Sequence, residues 1–233
     1  MGLAEDLTTE VATIFRAPWS VRDGTVIPAP ADLRLGNNAV KLAGTVLNAD
    51  MADSTGLVDT YQAAFAAEVY KAFLTCCARI IKARGGAITA YDGDRVMAVF
   101  IGSMKNTKAA KCALQINYAM NEIIRPKLKA QYPNTTYVPA HSVSVDTSEL
   151  FIARIGVRND NDLVWVGRAA NYAAKLCTLR DGAYTSWITA AVYGALENDA
   201  KVGANGQPMW EARTWTARNN MSIYRSSWQW KPY

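Results

Sequence analysis

The stretch A-V-K-L-A-G-T-V-L-N-A-D-M-A-D-S-T, residues 39–55, decides the fold prediction for this chain. Its first part is largely apolar, which predicts a buried β-strand that ends in the carboxylate of Asp50. A helical pattern then opens at Ser54, and large apolar side chains recur at helical spacing as far as Ile80. The glycine pair at 85–86 ends this helix, because glycine adopts the left-handed conformation of a helix C-terminus without a Cβ clash. The stretch therefore predicts a strand followed by a long helix.

The residues that follow predict a hairpin, a second helix and another strand. The runs A-I-T-A-Y and R-V-M-A-V-F, within residues 87–100, are short strands joined through Asp-Gly, a pair favoured in tight turns, which leaves Asp94 just past the hairpin tip. The second helix covers residues 107–124 and is ended or bent by Pro126. The run H-S-V-S-V-D-T, from His141, begins the next strand. This order of strands and helices predicts an α+β fold with a ferredoxin-like βαββαβ sheet.

Two segments flank this central pattern. Residues 1–36 combine a short amphipathic helical pattern with the helix breakers Pro28 and Pro30, so we expect an N-terminal helical arm and linker. Residues 37–233 then form the main domain, in which Trp-rich strands near residues 209–230 extend the sheet beyond the ferredoxin-like part.

The composition indicates an ordinary soluble globular protein. Half of the 233 residues are hydrophobic and 19% are charged, which excludes a disordered or fibrous chain. No apolar run approaches the ~18 residues that span a bilayer, and no Lys or Arg precedes Arg16, which argues against a signal peptide. We therefore expect a cytoplasmic protein with no membrane partner. The four cysteines lack metal-site spacing, which favours reduced thiols over disulfides.

The single histidine and the net charge narrow the function classes. Hydrolases with a Ser or Cys nucleophile need an imidazole base in a specific place, and His-rich metal sites need several imidazoles. His141 lies in a strand-like alternation, so a structural role is favoured. The net charge of +5 suits a polyanionic ligand, but no dense Lys/Arg run is present. This favours a nucleotide ligand over a nucleic-acid partner.

Asp50 and Asp94 are the candidate metal ligands. In a ferredoxin-like sheet the first strand lies beside the second strand of the hairpin, so the two carboxylates converge on one edge. Converging carboxylates suit hard divalent cations, which in turn suit phosphate oxygens. The chain after Asp50 turns into a helix whose first N–H groups lack internal partners, and such a helix start is able to bind phosphate. The simpler alternative is a turn residue at Asp94 and a helix cap at Asp53 or Ser54.

Three segments, in order and spacing, resemble the motifs of class III nucleotidyl cyclase domains. They are L-N-A-D-M-A-D-S-T, then R-G-G-A-I-T-A-Y-D-G-D-R-V-M-A-V-F, then W-V-G-R-A-A-N-Y-A-A-K-L, and the resemblance covers residues 40–224. It implies that Asp50 and Asp94 bind two Mn²⁺ or Mg²⁺ ions, assisted by the Met51 carbonyl.

The same resemblance assigns residues to the ribose and the triphosphate. Asn171, on a predicted helix through R-A-A-N-Y-A-A-K-L, is expected to orient the ribose as a catalytic residue. Lys175, four residues later and on the same face of that helix, stands where the family has an Arg that offsets charge on the α-phosphate. Lys keeps the charge but lacks the planar, two-pronged donor. Arg218, in the tail W-T-A-R-N-N-M-S-I-Y, takes the place of a basic residue on a late strand that contacts the terminal phosphates. The other expected phosphate-binding residues form the turn into the first helix: Ala52, Asp53, Ser54 and Thr55.

The base-recognition positions depart from those of the purine cyclases. Adenylyl cyclases have a Lys and an Asp where this chain has Ala90 and Val164, and the Glu and Cys pair of guanylyl cyclases is absent too. The usual hydrogen bonds to a purine edge are therefore not available, and leaving a buried amide edge unpaired costs about 1–3 kcal/mol. Either the enzyme is indiscriminate, or it reads another base with other residues. Tyr91 and Arg168 flank these positions and are candidate donors to a base carbonyl, with surface or core roles as the alternative.

This pattern resembles the pyrimidine cyclases of Pycsar anti-phage systems. The resemblance implies cyclisation of a pyrimidine nucleoside triphosphate, UTP ahead of CTP, in a head-to-tail homodimer. Each site would take Asp50 and Asp94 from one chain and Asn171 and Lys175 from the other, and the product would activate a separate effector protein. The alternatives are a purine cyclase, a sensor that binds nucleotide without turnover, and an RNA-binding ferredoxin-like module, which needs exposed aromatics on its central strands.

Overall fold

The structure is a computed structural model that describes residues 2–232, and it confirms the α+β class. The α-helices, in chain order, are α1 (Leu3–Arg16), α2 (Ser54–Thr60), α3 (Ala63–Ala83), α4 (Lys105–Tyr118), α5 (Arg125–Gln131), α6 (Arg168–Leu176) and α7 (Ala190–Gly194). The strands are β1 (Ser20–Asp23), β2 (Asn38–Ala52), β3 (Ala87–Asp92), β4 (Arg95–Phe100), β5 (Ala140–Val157), β6 (Asp160–Val166), β7 (Ser186–Thr189), β8 (Glu211–Trp215) and β9 (Met221–Ser226). Within residues 2–232 no helix combines the length and the apolarity needed to cross a bilayer.

The backbone divides into two compact units, and the larger one carries the candidate metal ligands. It consists of Gly44–Ser148 together with the described residues from Arg168 onward. Its strands lie in the order β3-β4-β2-β5-β7-β9-β8. β4 runs antiparallel to β2 with Asp50 opposite Arg95, so the first strand and the hairpin are neighbours as predicted. Helices α3 and α4 contribute to the buried core of this unit, and the four cysteines are free thiols.

The smaller unit consists of the described residues up to Ala43 together with Glu149–Gly167. In it, β1 pairs in parallel with the start of β2, and the end of β5 pairs antiparallel with β6. The predicted N-terminal helix is present as α1, whereas β1 was not predicted, because four exposed residues carry no periodic signal. The division into an arm, 1–36, and a domain, 37–233, stays a prediction.

Two predicted helices differ from those observed. The helix that opens at Ser54 is interrupted at Tyr61, which has an extended backbone (φ −116°, ψ 161°) and packs its ring against aromatic neighbours. Pro126 does not end the second helix, because α4 widens into a π-helical turn in which the Arg125 N–H donates to the Met120 carbonyl. A wider turn accommodates proline, which lacks an N–H and would clash with a carbonyl in a regular α-helix. Neither deviation is visible in the apolar periodicity from which the two helices were predicted.

Candidate active site

The sheet edge where β2 ends and the β3–β4 hairpin turns carries both candidate metal ligands. Asp50 faces Arg95 across the strand pair, and Asp94 directly precedes Arg95. Asp50 is only 7% exposed, and burial raises the pKa of its carboxyl, partly offset by the hydrogen bond from Arg95. The Oδ2 atom of Asp94 is buried and has no hydrogen-bond partner within residues 2–232. An unpaired buried carboxylate oxygen is costly unless a cation or donor meets it, so this edge suits a cation.

Two guanidinium groups lie against Asp50. Arg95 Nη2 donates to Asp50 Oδ2 over 3.1 Å, and Arg180 Nη2 lies 3.9 Å from the same oxygen. Neither arginine was identified from the sequence. Arg95 had a signal, because it follows Asp94 on a strand expected to lie beside β2. Arg180 had none, because it comes from the loop after α6 and only the folded chain brings it to Asp50.

The donors at this edge fit a divalent cation only with ligands from outside the chain. Carboxylate and carbonyl oxygens are the hard ligands that Mg²⁺ and Mn²⁺ prefer. Over residues 2–232, however, no group of three or more His, Cys, Asp or Glu side chains is arranged to hold a metal ion. Asp50, Asp94 and the Met51 carbonyl are fewer ligands than octahedral coordination needs. Phosphate oxygens of a substrate and water would have to supply the rest.

The turn from β2 into α2 has a left-handed residue at its centre. Asp53 has φ 57° and ψ 39°, a conformation uncommon outside Gly, Asn and Asp. Asp53 stands at the N-cap position, but its side chain makes no capping hydrogen bond, so the simple capping alternative does not describe it. Its carboxylate instead lies close to Gly56, where an added Cβ would come within 2.7 Å of Oδ2. Ala52 and Ser54 are half-buried beside it and Thr55 is exposed.

Helix α6 presents Asn171 and Lys175 on one exposed face, as their four-residue spacing predicts. Neither side chain has a hydrogen-bond or ion-pair partner in the part of the chain from residue 2 to residue 232. The opposite face of the helix is buried, and the Ala173 carbonyl there accepts a hydrogen bond from Ser144 Oγ over 2.5 Å. The structure therefore fixes the helix and leaves its two candidate catalytic side chains free.

Comparison with known proteins identifies the family. The chain is 51% identical over 232 residues to a uridylate cyclase of Xanthomonas perforans, and the match covers 99% of both chains. It is 50% identical over 234 residues to a uridylate cyclase of Burkholderia cepacia, again covering 99% of both. This chain belongs to the uridylate cyclase family. No protein-family model matches the chain.

Solved structures agree with a class III cyclase fold for this member of the uridylate cyclase family. A bacterial light-regulated adenylyl cyclase has a TM-score of 0.70 at 20% identity, covering 84% of this chain and 54% of that one. The adenylyl cyclase CyaB from P. aeruginosa has a TM-score of 0.68 at 18% identity, covering 81% of this chain and 95% of that one. Together with the family assignment, this decides against an RNA-binding module.

In this uridylate cyclase family member, Arg168 and Arg218 both approach the ring of Tyr172 on α6. Their Cζ atoms lie 5.7 and 5.9 Å from the ring centroid. Arg168 Nη2 also donates to the Thr147 carbonyl over 2.6 Å, and its Nε lies 3.3 Å from the buried carboxylate of Asp146. These contacts anchor the start of α6. Arg218 is not on a strand, contrary to expectation: it ends a 3₁₀ turn between β8 and β9, and the two asparagines after it have positive φ.

The other predicted base-recognition positions lie on strands and are exposed. Ala90 pairs with Met97 in the hairpin, and the neighbouring Tyr91 is 55% exposed. Val164 pairs with Ala153 on β6 and is 40% exposed. Neither Ala90 nor Val164 offers a polar atom beyond its backbone, so the side chains used by purine cyclases are missing at both places.

Proposed function

We propose that this chain cyclises a pyrimidine ribonucleoside triphosphate, UTP by preference, to the 3′,5′-cyclic monophosphate with release of pyrophosphate. The observation that carries the proposal is identity of 38–51% to proteins named uridylate cyclase over nearly the full chain. The paired carboxylates of Asp50 and Asp94 at one sheet edge support it chemically. The apolar side chains of Ala90 and Val164 are consistent with it, because they lack the polar groups with which adenylyl cyclases bind a purine edge.

The mechanism needs no nucleophilic side chain. Asp50 and Asp94, assisted by the Met51 carbonyl, would hold two Mn²⁺ or Mg²⁺ ions, and the chemistry these would supply is a lower pKa for the ribose 3′-hydroxyl, whose proton passes to solvent, and counter-charge for the triphosphate. Asn171 orients the ribose so that its 3′-oxygen is in line with the bond from the α-phosphorus to the pyrophosphate. Lys175 offsets the charge that develops on the α-phosphate as that bond breaks. Arg218 and the turn into α2 hold the terminal phosphates.

We infer that a second copy of the chain completes each site. Asn171 and Lys175 are exposed and unpaired, and no ion pair joins Lys175 to Asp50 or Asp94 within residues 2–232. A site shared across a head-to-tail homodimer, as the class III resemblance implies, would bring the two pairs of residues together. The resemblance to Pycsar cyclases extends the proposal to antiviral signalling, in which the cyclic product activates a separate effector protein.

The proposal is tested by product analysis. The purified chain is incubated with Mn²⁺ and each of the four ribonucleoside triphosphates, pyrophosphate is measured, and the cyclic product is identified by mass. We expect mainly cyclic UMP. Mainly cyclic CMP would make CTP the preferred substrate instead of UTP, and mainly cyclic AMP or GMP would contradict the pyrimidine assignment. Nucleotide binding without pyrophosphate would show a sensor. Asp94→Asn should abolish turnover, whereas Asp92→Asn, an exposed carboxylate in the same hairpin, should retain it.

Mixing inactive variants tests the shared site. Asp50→Ala and Asn171→Ala proteins are combined under conditions that let subunits exchange. A mixed dimer then has one intact site and one site with both lesions, so random exchange restores about one quarter of wild-type activity. If exchange is confirmed and the mixture is no more active than its parents, each chain builds its own site.

A further inference from the structure

We propose that a cavity beside the candidate metal edge binds a phosphate oxyanion, in the form of inorganic phosphate or pyrophosphate. The cavity has a volume of about 240 Å³. Ala52, at the end of β2, forms part of its wall, and Asn121, Arg125, His141 and Arg180 contribute polar side chains. A water molecule occupies about 30 Å³ of liquid, so the cavity has room for a phosphate group. The proposal is independent of cyclisation, which gives no role to most of these side chains.

Among the described residues, Arg125 is a half-buried cation without a carboxylate partner. Its Nε donates to the Pro139 carbonyl over 2.9 Å and its Nη1 donates to Asn121 Oδ1, but within residues 2–232 it makes no ion pair. Burial lowers the pKa of its guanidinium, yet not enough to remove the charge. A desolvated charge is costly unless it is paired. An anion in the cavity would supply the missing counter-charge.

Arg180 joins the cavity to the metal edge. Its Nη1 donates to the carbonyls of Cys177 and Leu179, over 2.6 and 3.0 Å, which holds the guanidinium in place. Its Nη2 lies 3.9 Å from Asp50 Oδ2, and the same residue lines the cavity. The Asp50 carboxylate and a ligand in the cavity would therefore compete for one guanidinium.

The charge balance around the cavity is positive. The carboxylate of Asp181 also lines it, but that group is paired with Arg225. His141 contributes no charge, because burial and the nearby Arg125 and Arg180 lower its pKa to about 3. Both ring nitrogens of His141 are buried without a partner within residues 2–232. Arg125 and Arg180 therefore face the cavity, and among the described residues that line it no unpaired carboxylate neutralises them.

The π-helical turn Ala119–Ile124 supports this arrangement. Asn117 Nδ2 donates to the Ser227 carbonyl over 3.0 Å, and Asn121 Nδ2 donates to Asn117 Oδ1 over 2.9 Å. Asn121 in turn accepts the hydrogen bond from Arg125, so a continuous chain of hydrogen bonds fixes the guanidinium. Single π-helical turns inside α-helices occur frequently at functional sites.

The test is calorimetric titration of the metal-free chain, in the presence of a chelator, with phosphate and separately with pyrophosphate. We expect both anions to bind, and Arg125→Gln and Arg180→Gln each to weaken binding by about tenfold, the effect of one charge-assisted hydrogen bond. Asp50→Asn should strengthen binding, because it removes the competitor for Arg180. Arg79→Gln, which removes an exposed arginine of α3, should leave the affinity unchanged.

The two anions distinguish the source of the ligand. Clearly tighter binding of pyrophosphate would make the cavity a subsite for a diphosphate group, whereas equal affinities would make it a site for free phosphate. The absence of binding of either anion at millimolar concentration would overturn the proposal. Unchanged affinity in Arg180→Gln would overturn it as well. The Arg180 side chain is exposed, so this variant should fold like the wild type. Loss of binding in Arg218→Gln would also overturn it, by placing the anion elsewhere. None of these results depends on turnover.

Discussion

His141 allows a direct test of how its own side chain is buried. It is the chain's only histidine, so no other imidazole contributes to the same titration. It lies in β5 and is 3% exposed, with its ring centroid 6.0 Å from that of Phe73. Burial, assisted by the positive charges of Arg125 and Arg180, lowers its pKa from 6.5 to about 3. Between these two pKa values, His141 is therefore neutral in the native state and protonated in the unfolded chain.

The sign and size of the effect follow from linkage. Above the pKa of the unfolded state the imidazole is neutral in both states, so protonation of His141 takes nothing from the free energy of unfolding. As the pH falls below ~6.5, only the unfolded state binds the proton, and the free energy of unfolding falls by about 1.4 kcal/mol per pH unit until the folded pKa is reached. Between about pH 7.5 and about pH 5 the loss is therefore about 2 kcal/mol.

Urea unfolding across this pH range, for wild type and for His141→Phe, measures the loss. Phenylalanine keeps a ring beside Phe73 but does not titrate, so the difference between the two curves isolates the histidine. The buried carboxyls of Asp50 and Asp146 have raised pKa values and act with the opposite sign, but they are present in both proteins. His141→Asn provides a second, smaller substitution. Parallel curves for all three proteins would refute the buried, neutral imidazole.

Three further changes test the core and the site. Arg168→Ala should lower the free energy of unfolding by about 1–3 kcal/mol in urea denaturation, because it removes the cation paired with the buried carboxylate of Asp146 and leaves that group with the hydrogen bond from the Thr189 hydroxyl; the loss should shrink as acid protonates Asp146, and a pH-independent loss would contradict the pairing. Gly86→Ala should destabilise by about 1–3 kcal/mol in thermal unfolding, since its Cβ would meet Phe100 Cζ at 2.6 Å; an unchanged melting temperature would refute this. Lys175→Ala should slow turnover by about 10²-fold with an unchanged circular dichroism spectrum, and normal kinetics would move the charge-offsetting role to another residue.

The parts of the site that the sequence predicted depend on local patterns. The strand that carries Asp50, which continues to Ala52, the Asp-Gly hairpin before Asp94 and the helix with Asn171 and Lys175 each follow from side-chain periodicity and turn chemistry within a few residues. The strand pairing of β2 with β4 followed from the order of these elements. The chemical roles assigned to these residues stay predictions.

By itself, then, the sequence determined the α+β class, the carboxylate edge and the spacing on α6, because such features are encoded over one turn or one strand. The tertiary structure alone decided the contact of Arg180 with Asp50, the anchoring of Arg168 by Asp146, and the π-helical turn that aims Arg125 at a cavity. The contacts of Arg180 and Arg168 join residues from different elements, and their formation depends on how whole elements pack and on which buried charges find partners. The π-helical turn is local in sequence, but apolar periodicity does not distinguish it from an α-helix. No local pattern of side chains carries that information.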